Sequence, residues 1–279
     1  MRPKHGSGCP MRARVGLAWS PQIGALISRD PDRVDYVEVP FERLRASEQL
    51  AESLPIPIIL HCSSMSVGGD VAPTRGTLDR IRELAEQVDT PWIGEHLAFT
   101  SAHRFDDDGN EIVNTDYTIC PQFSEESLER CISTFKGLQE NFERRIILEN
   151  PPQYFVVPGS TMSQTEFLSR LVSQTDVGLL LDLAHLYITA RNFKQSPMAL
   201  LDEYPTSRVV EVHVSGVSVE DGTFWDNHGI EAPEPVYSLL AALFERAAPE
   251  AVTLEFNWHS HFSESALLEK IRRVRELVS

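Results

Sequence analysis

The sequence predicts an α/β fold, a single (β/α)8 barrel, and three observations carry that prediction. Eight short apolar runs rich in Val, Ile and Leu recur along the 279 residues. Amphipathic segments alternate with them, and no apolar run is long enough to span a membrane. The runs cover 14–19, 35–39, 56–61, 92–97, 145–150, 177–182, 208–214 and 251–256. Such runs read as parallel strands covered on both faces. Helical spacing fills 77–88, 124–142, 163–173, 236–246 and 263–278. Thr77 and Ser124 are the expected N-caps, the latter with Ser127 in place of the usual Glu of a capping box. Strand–helix alternation implies a parallel sheet, and eight units in a chain near the usual size of about 250 residues imply closure. Residues 14–279 are therefore expected to form one barrel. Residues 1–13 lack the apolar middle of a secretion signal and read as a flexible tail.

One connection is long. Residues 100–123 contain Asp106-Asp107-Asp108-Gly109-Asn110, whose spacing fails the EF-hand pattern. A solvated hairpin or lid is expected there, on the face where barrel loops carry function.

The net charge of −16 gives no basic footprint for nucleic acid, and a basic or neutral peptide partner fits it better. No nucleic-acid or membrane partner is expected. Cys9, Cys62, Cys120 and Cys131 match neither a zinc ribbon nor a redox pair, which predicts reduced thiols in a cytoplasmic protein.

Metal-competent residues recur where apolar runs stop. The third run ends at His61 and the fourth at Glu95-His96. The fifth ends at Glu149-Asn150, and the sixth at Asp182 with His185 three residues on. The seventh carries Glu211 and His213 on one strand face, and Asp226-Asn227-His228 follows on a loop. The eighth ends at Glu255. An isolated histidine after an apolar run is more often a hydrogen-bonded core residue, and a lone acid at a strand end more often a helix cap. Convergence changes that reading. A parallel barrel brings all these ends to one mouth, where the acids and imidazoles need a counter-charge. Imidazole and carboxylate donors suit iron, zinc or manganese, and about two or three ions fit the number of donors. His61 and His96 would share one ion. Asp182, His213 and Glu255 would hold a second, and His185, Asp226 and His228 a third, with Glu149 bridging. The catalytic set expected is His61, Glu149, Asp182, His213 and Glu255. The remaining histidines are less promising: His5 lies in the tail and His103 in the long connection, while His259 and His261 follow the eighth run near the mouth without being counted among the ligands.

Two families share this order of ligands. The apurinic endonuclease IV type, a three-metal barrel that hydrolyses phosphodiesters, resembles the series from His61 to Glu255. The multinuclear non-heme iron-dependent oxidative enzymes, known from methanobactin and thiaglutamate biosynthesis, resemble the chain far more widely. His61-Cys62-Ser63-Ser64-Met65-Ser66-Val67-Gly68 is similar to that family's His-x-x-Ser-Leu-Ser-Ile-Gly turn. Trp92-Ile93-Gly94-Glu95-His96-Leu97 resembles its Trp-Ile-Ser-Glu-His-Leu segment, and Leu148-Glu149-Asn150-Pro151-Pro152-Gln153-Tyr154 its Leu-Glu-Asn-Pro-Ser-x-Tyr segment. Glu166-Phe167-Leu168, Leu179-Leu180-Leu181-Asp182 and Val210-Glu211-Val212-His213-Val214 continue the likeness. The chain departs at Leu183-Ala184-His185, where many members have Asn-Asn after the Asp. It departs again at Glu255-Phe256-Asn257, where they read Glu-Trp-Asp.

The resemblance implies a xylose-isomerase-like barrel with two or three irons of mixed Fe(II)/Fe(III) state and dioxygen as co-substrate. It implies oxidation of a residue, most commonly Cys, in a ribosomally made precursor peptide. A small partner protein would deliver the leader peptide, with residues 100–123 as one place to dock. Glu38, Glu95, Asn150, Glu211 and Asn257 would stand behind the ligands or beside the substrate. The rival readings on the same barrel are a zinc phosphodiesterase, a sugar isomerase and a non-catalytic metal-binding protein.

Overall fold

Eight parallel strands close into a barrel in a computed structural model that describes residues 12–106, 109–257 and 263–279. The strands are β1 (Arg14–Ala18), β2 (Tyr36–Pro40), β3 (Ile58–Cys62), β4 (Trp92–His96), β5 (Phe99–Asp106), β6 (Gly109–Ile119), β7 (Arg145–Glu149), β8 (Gly178–Asp182), β9 (Val209–Val214), β10 (Gly216–Glu220), β11 (Thr223–Gly229) and β12 (Ala251–Leu254). The ring runs β1-β12-β9-β8-β7-β4-β3-β2, and each member coincides with one of the eight apolar runs, β2 and β3 ending one residue beyond theirs at Pro40 and Cys62. β5–β6 and β10–β11 form separate antiparallel hairpins above the mouth. The stretch 100–123 thus contains a hairpin, as expected. Asp226 and His228 stand on β11 rather than on a loop.

The five expected helices are Arg75–Gln87, Glu125–Asn141, Gln164–Gln174, Glu234–Phe244 and Glu264–Leu277. Ser124, Ser163 and Ser263 cap three of them, each accepting the backbone N–H three residues on. Thr77 is not a cap: Thr74 is, and its hydroxyl accepts from Thr77 N. Five further helices were not expected: Pro21–Arg29, Phe41–Ala46, Glu48–Ser53, Leu183–Asn192 and Pro197–Glu203. Leu183–Asn192 buries Leu183, Ala184, His185, Leu186, Ile188, Thr189 and Ala190, so it shows no amphipathic stripe.

Inside the barrel, Tyr36, Ile59, Trp92, Ile147, Leu180, Val210 and Ala251 form one layer, and the main core lies between strands and helices. Gly16 and Gly94 carry no side chain for a direct reason. A methyl on Gly16 would collide with the Tyr36 ring, and one on Gly94 with His61 Nδ1. The interior is partly polar. Trp92 Nε1 donates to Glu211 Oε2 at 2.6 Å, and Thr253 Oγ1 lies 2.8 Å from Glu211 Oε1.

Among the described residues no helix is long and apolar enough to cross a membrane, and Cys62, Cys120 and Cys131 are free thiols. Cys9, His5, His259, His261 and residues 1–11 of the expected tail lie outside the described residues; Ala13 is buried in the core.

Candidate metal centre

The barrel delivers one metal-competent side chain from nearly every strand to the same mouth. His61 (β3), His96 (β4) and Glu149 (β7) form the first group. His61 Nε2 is 3.4 Å from His96 Nε2, and these atoms lie 3.2 and 3.3 Å from Glu149 Oε2. His96 Nδ1 lies 2.9 Å from the Cys62 carbonyl, which accepts, so Nδ1 carries the proton and Nε2 turns a lone pair inward. Glu149 Oε2 is buried and makes no hydrogen bond. A carboxylate oxygen shut from water and facing two imidazole nitrogens needs positive charge beside it, which a protonated imidazole or a metal ion could supply.

The second group joins Glu149, Asp182 (β8), His213 (β9) and Glu255, which follows β12. His213 Nε2 donates to Glu38 Oε2 at 3.0 Å, which leaves Nδ1 facing Glu255 Oε2 at 3.1 Å and Glu149 Oε1 at 3.9 Å. Asp182 divides its two oxygens. Oδ1 accepts from His185 N at 2.7 Å and caps the helix Leu183–Asn192, while Oδ2 is buried with no hydrogen bond, 3.7 Å from His185 Nε2. Glu149 and Asp182 therefore each keep one oxygen with no hydrogen bond beside imidazole nitrogens.

The third group is His185, Asp226 and His228. Asp226 Oδ2 lies 3.2 Å from His185 Nε2 and 3.1 Å from His228 Nε2. His185 Nδ1 donates to the Asn150 carbonyl at 2.8 Å. His228 sits in the left-handed region at φ 46, a conformation rare outside glycine and one that aims its ring back at Asp226. Glu38, Glu211 and His213 also lie close together. There the Glu211 oxygens are already engaged by Trp92 and Thr253 and the Glu38 oxygen by His213, so this cluster braces His213 from behind.

The expected supporting residues fall into place differently. Asn150 brackets Asp182, donating to its carbonyl at 3.1 Å and accepting from its N–H at 2.8 Å. Glu95 is buried, belongs to none of the ligand groups, and accepts the N–H groups of Met65 and His96. Asn257 is exposed and donates to the Asn227 carbonyl, which ties the end of β12 to the β11 hairpin.

Electrostatics reflect the crowding. Burial alone would neutralise Glu149, yet the surrounding imidazoles, His96 foremost, hold it well below the carboxylate range. Burial opposes charge on His61 and His228 as well. Glu38 and Glu149 nonetheless push His61 up to about 9, and Glu255 and Asp226 push His228 up to about 9. Burial lifts Asp182 to about 6, and burial with the Glu38 charge lifts Glu211 to about 8. In the protein without metal, protons do what cations would do.

The mouth is a cavity of about 330 Å³ into which His96, Glu149, His185, Asp226, His228 and Glu255 open. Its apolar wall comes from Ile119 at the end of β6, Cys120 directly after it, and Pro152, Tyr154 and Phe155 after β7. The Tyr154 and Trp225 rings stack with centroids 4.6 Å apart. The sequence does not single out Ile119, Cys120 or Phe155 as lining the mouth, because no spacing rule marks a wall built from separate segments.

Asp182 allows its two roles to be separated. Asp182→Asn keeps a capping oxygen and removes the anion, so helix stability should hold while bound metal falls. Asp182→Ala should lose metal and about 1 kcal/mol of cap as well. Metal analysis and thermal melting of both metal-free variants check this; equal metal content in Asn and wild type would refute the assignment.

Fold and site together define a xylose-isomerase-like TIM barrel whose mouth gathers histidine–carboxylate groups able to hold metal ions. The fold has clear counterparts among solved structures. The 3-keto-D-glucoside 4-epimerase of E. coli superposes with TM-score 0.61 at 14% identity, covering 95% of this chain and 100% of that one. Endonuclease IV from Thermus thermophilus superposes with TM-score 0.56 at 15% identity, covering 94% and 98%. The chain belongs to the family of RiPP precursor modification enzymes MbnB/TglH/ChrH, which it matches over residues 14–279. Its relatives include a UPF0276 protein of Rhizorhabdus wittichii, 31% identical over 88% of this chain and 87% of the relative. One of Caulobacter vibrioides is 28% identical over 91% and 88%. A UPF0276 protein of Streptomyces avermitilis is 30% identical over 92% of this chain, which spans 53% of that relative's length.

Proposed function

We propose that this chain is a multinuclear iron-dependent oxidase that uses dioxygen to modify a residue, cysteine foremost, of a ribosomally synthesised precursor peptide. One observation carries the reading beyond the family: Glu149 turns Oε2 to His61 and His96 and Oε1 toward His213, so a single carboxylate links two ligand groups. His61, His96 and Glu149 would hold one ion. Glu149, Asp182, His213 and Glu255 would hold a second, and His185, Asp226 and His228 a third. When bound, two or three irons supply the redox step and the activation of dioxygen, which no side chain here can supply.

The chain's own residues do the rest. Glu38 and the carbonyls of Cys62 and Asn150 hold the outward imidazole protons, so His213, His96 and His185 keep a lone pair turned inward. The wall of Ile119, Pro152, Tyr154 and Phe155 orients an entering peptide side chain and excludes water. A small partner protein that presents the leader is part of this reading. The β5–β6 hairpin, with Ile112 and Tyr117 exposed, offers it a surface. The chain would work in the cytoplasm.

The test is turnover. Iron-loaded chain is mixed with a set of synthetic Cys-containing peptides, and oxygen uptake and peptide mass are followed. The reading expects a mass change that needs both dioxygen and the Cys, absent from a Cys→Ser peptide. Cleavage of abasic DNA or ketose isomerisation by a zinc-loaded chain, with no oxygen uptake, would replace it with a hydrolase or isomerase.

A further inference from the structure

We propose that the cavity beside the metal mouth is a carboxylate subsite for the substrate peptide, with Arg130 as its anchoring cation. The proposal rests on the peptide-modifying reading above. The cavity measures about 330 Å³ and is lined by Phe99, Ile119, Cys120, Ser127, Arg130 and Val157, with Asp70 among its other lining residues. Ile119 and Cys120 also line the mouth, so the two hollows share a wall.

Arg130 is under-used where it stands. Its Nε is closed off from solvent and has no hydrogen-bond partner among the described residues. One Nη donates to Ser127 Oγ at 3.1 Å. The other lies 3.6 Å from Glu126, whose side chain is 87% exposed, so that pair is screened and weak. Glu125, the other acid of the helix's first turn, is committed to Arg170 by two contacts of 2.6 Å. A buried donor left unmade is costly, and because the side chain as a whole is 34% exposed a carboxylate meets the guanidinium at its Nη end, whose planar fork matches it. The first turns of the helix Glu125–Asn141 add positive potential of the same sense. Asp70 opposes an anion, but it is exposed and solvent-screened. The apolar remainder of the wall strengthens an ion pair formed inside.

The consequence is register. A chain with net charge −16 does not draw acidic peptides by its overall field. A local cation next to the mouth instead fixes which peptide residue stops at the metal groups. The carboxylate could come from the peptide's C-terminus or from an Asp or Glu side chain.

The test uses three probes on the full chain: N-acetyl-alanyl-glycine, its C-terminal amide, and N-acetyl-aspartic acid α-amide. The Arg130 Nε–Hε resonance is followed by two-dimensional NMR and assigned by its loss in Arg130→Lys. The expected result is a saturable shift with at least one carboxylate probe and none with the neutral amide. Which probe acts tells terminal from side-chain carboxylate. Arg130→Lys, read at the Ser127 amide, should bind at least about tenfold more weakly because an ammonium cannot make the fork. A resonance that does not move with either carboxylate, or moves equally with the amide, overturns the proposal. The readout is binding, so it survives failure of the oxidase reading. Normal carboxylate binding without peptide oxidation counts against the oxidase alone.

Discussion

Glu149→Gln should lose at least one bound ion per chain and bring oxygen-dependent turnover down by more than about 100-fold, beyond the effect of removing an outer partner of a metal ligand. The carboxylate is nearly sealed from solvent, and its Oε2 has no other partner. Glutamine keeps the volume but places an NH2, a donor, where a cation or an imidazole proton should sit. Because the same side chain faces His61, His96, His185 and His213, no other single substitution should disturb as many ligands. Metal quantification of purified variant beside wild type checks this; an unchanged metal content would show that Glu149 is only a core acid paired with histidines.

Stripping the metal should lower the melting temperature by about 8–16 °C. An ion held at about a thousand times its dissociation constant stabilises the fold by about 4 kcal/mol, and each kcal/mol moves a domain of this size by about 2–4 °C. Re-adding iron should restore the loss. The size of the gap should depend on pH, and its sign follows from the histidines. His61 and His228 are pushed up to about 9 in the protein without metal. Their pairing with carboxylates therefore stabilises that form fully below the ordinary histidine value of about 6.5, and the contribution disappears as pH rises through the folded value. The gap between metal-bound and stripped protein should widen from about pH 6 to about pH 9. A melting temperature indifferent to chelators at every pH would mean that these groups hold no ion.

Most of the barrel was legible because a strand covered on both faces must be apolar along its length. The runs ending in His61, His96, Glu149 and Asp182 stand out as apolar residues closed by an ionisable one. His61 with His96, and Asp182 with His213 and Glu255, come from neighbouring barrel strands, so their closeness was legible from strand order. The β10–β11 hairpin was not read, although its signal was present. Asp221-Gly222, both at positive φ, form the two-residue turn between Val217-Ser218-Val219 and Phe224-Trp225. Without that turn, Asp226 and His228 read as loop residues, when paired strands hold them. The helix Leu183–Asn192 escaped for the opposite reason, since a segment buried on all sides has no pattern to read. The mouth wall of Cys120 and Tyr154 comes from elements far apart in sequence, and only three-dimensional closure joins them.

The most direct test is to count and identify the metal in chain purified from iron-supplied cells, by elemental analysis together with Mössbauer spectroscopy. The account predicts about two or three irons per chain, with ferrous and ferric components in one coupled centre. The count should fall in His96→Ala, Asp182→Asn and His228→Ala. A chain that takes up no transition metal under any loading regime, while keeping its fold, would contradict it.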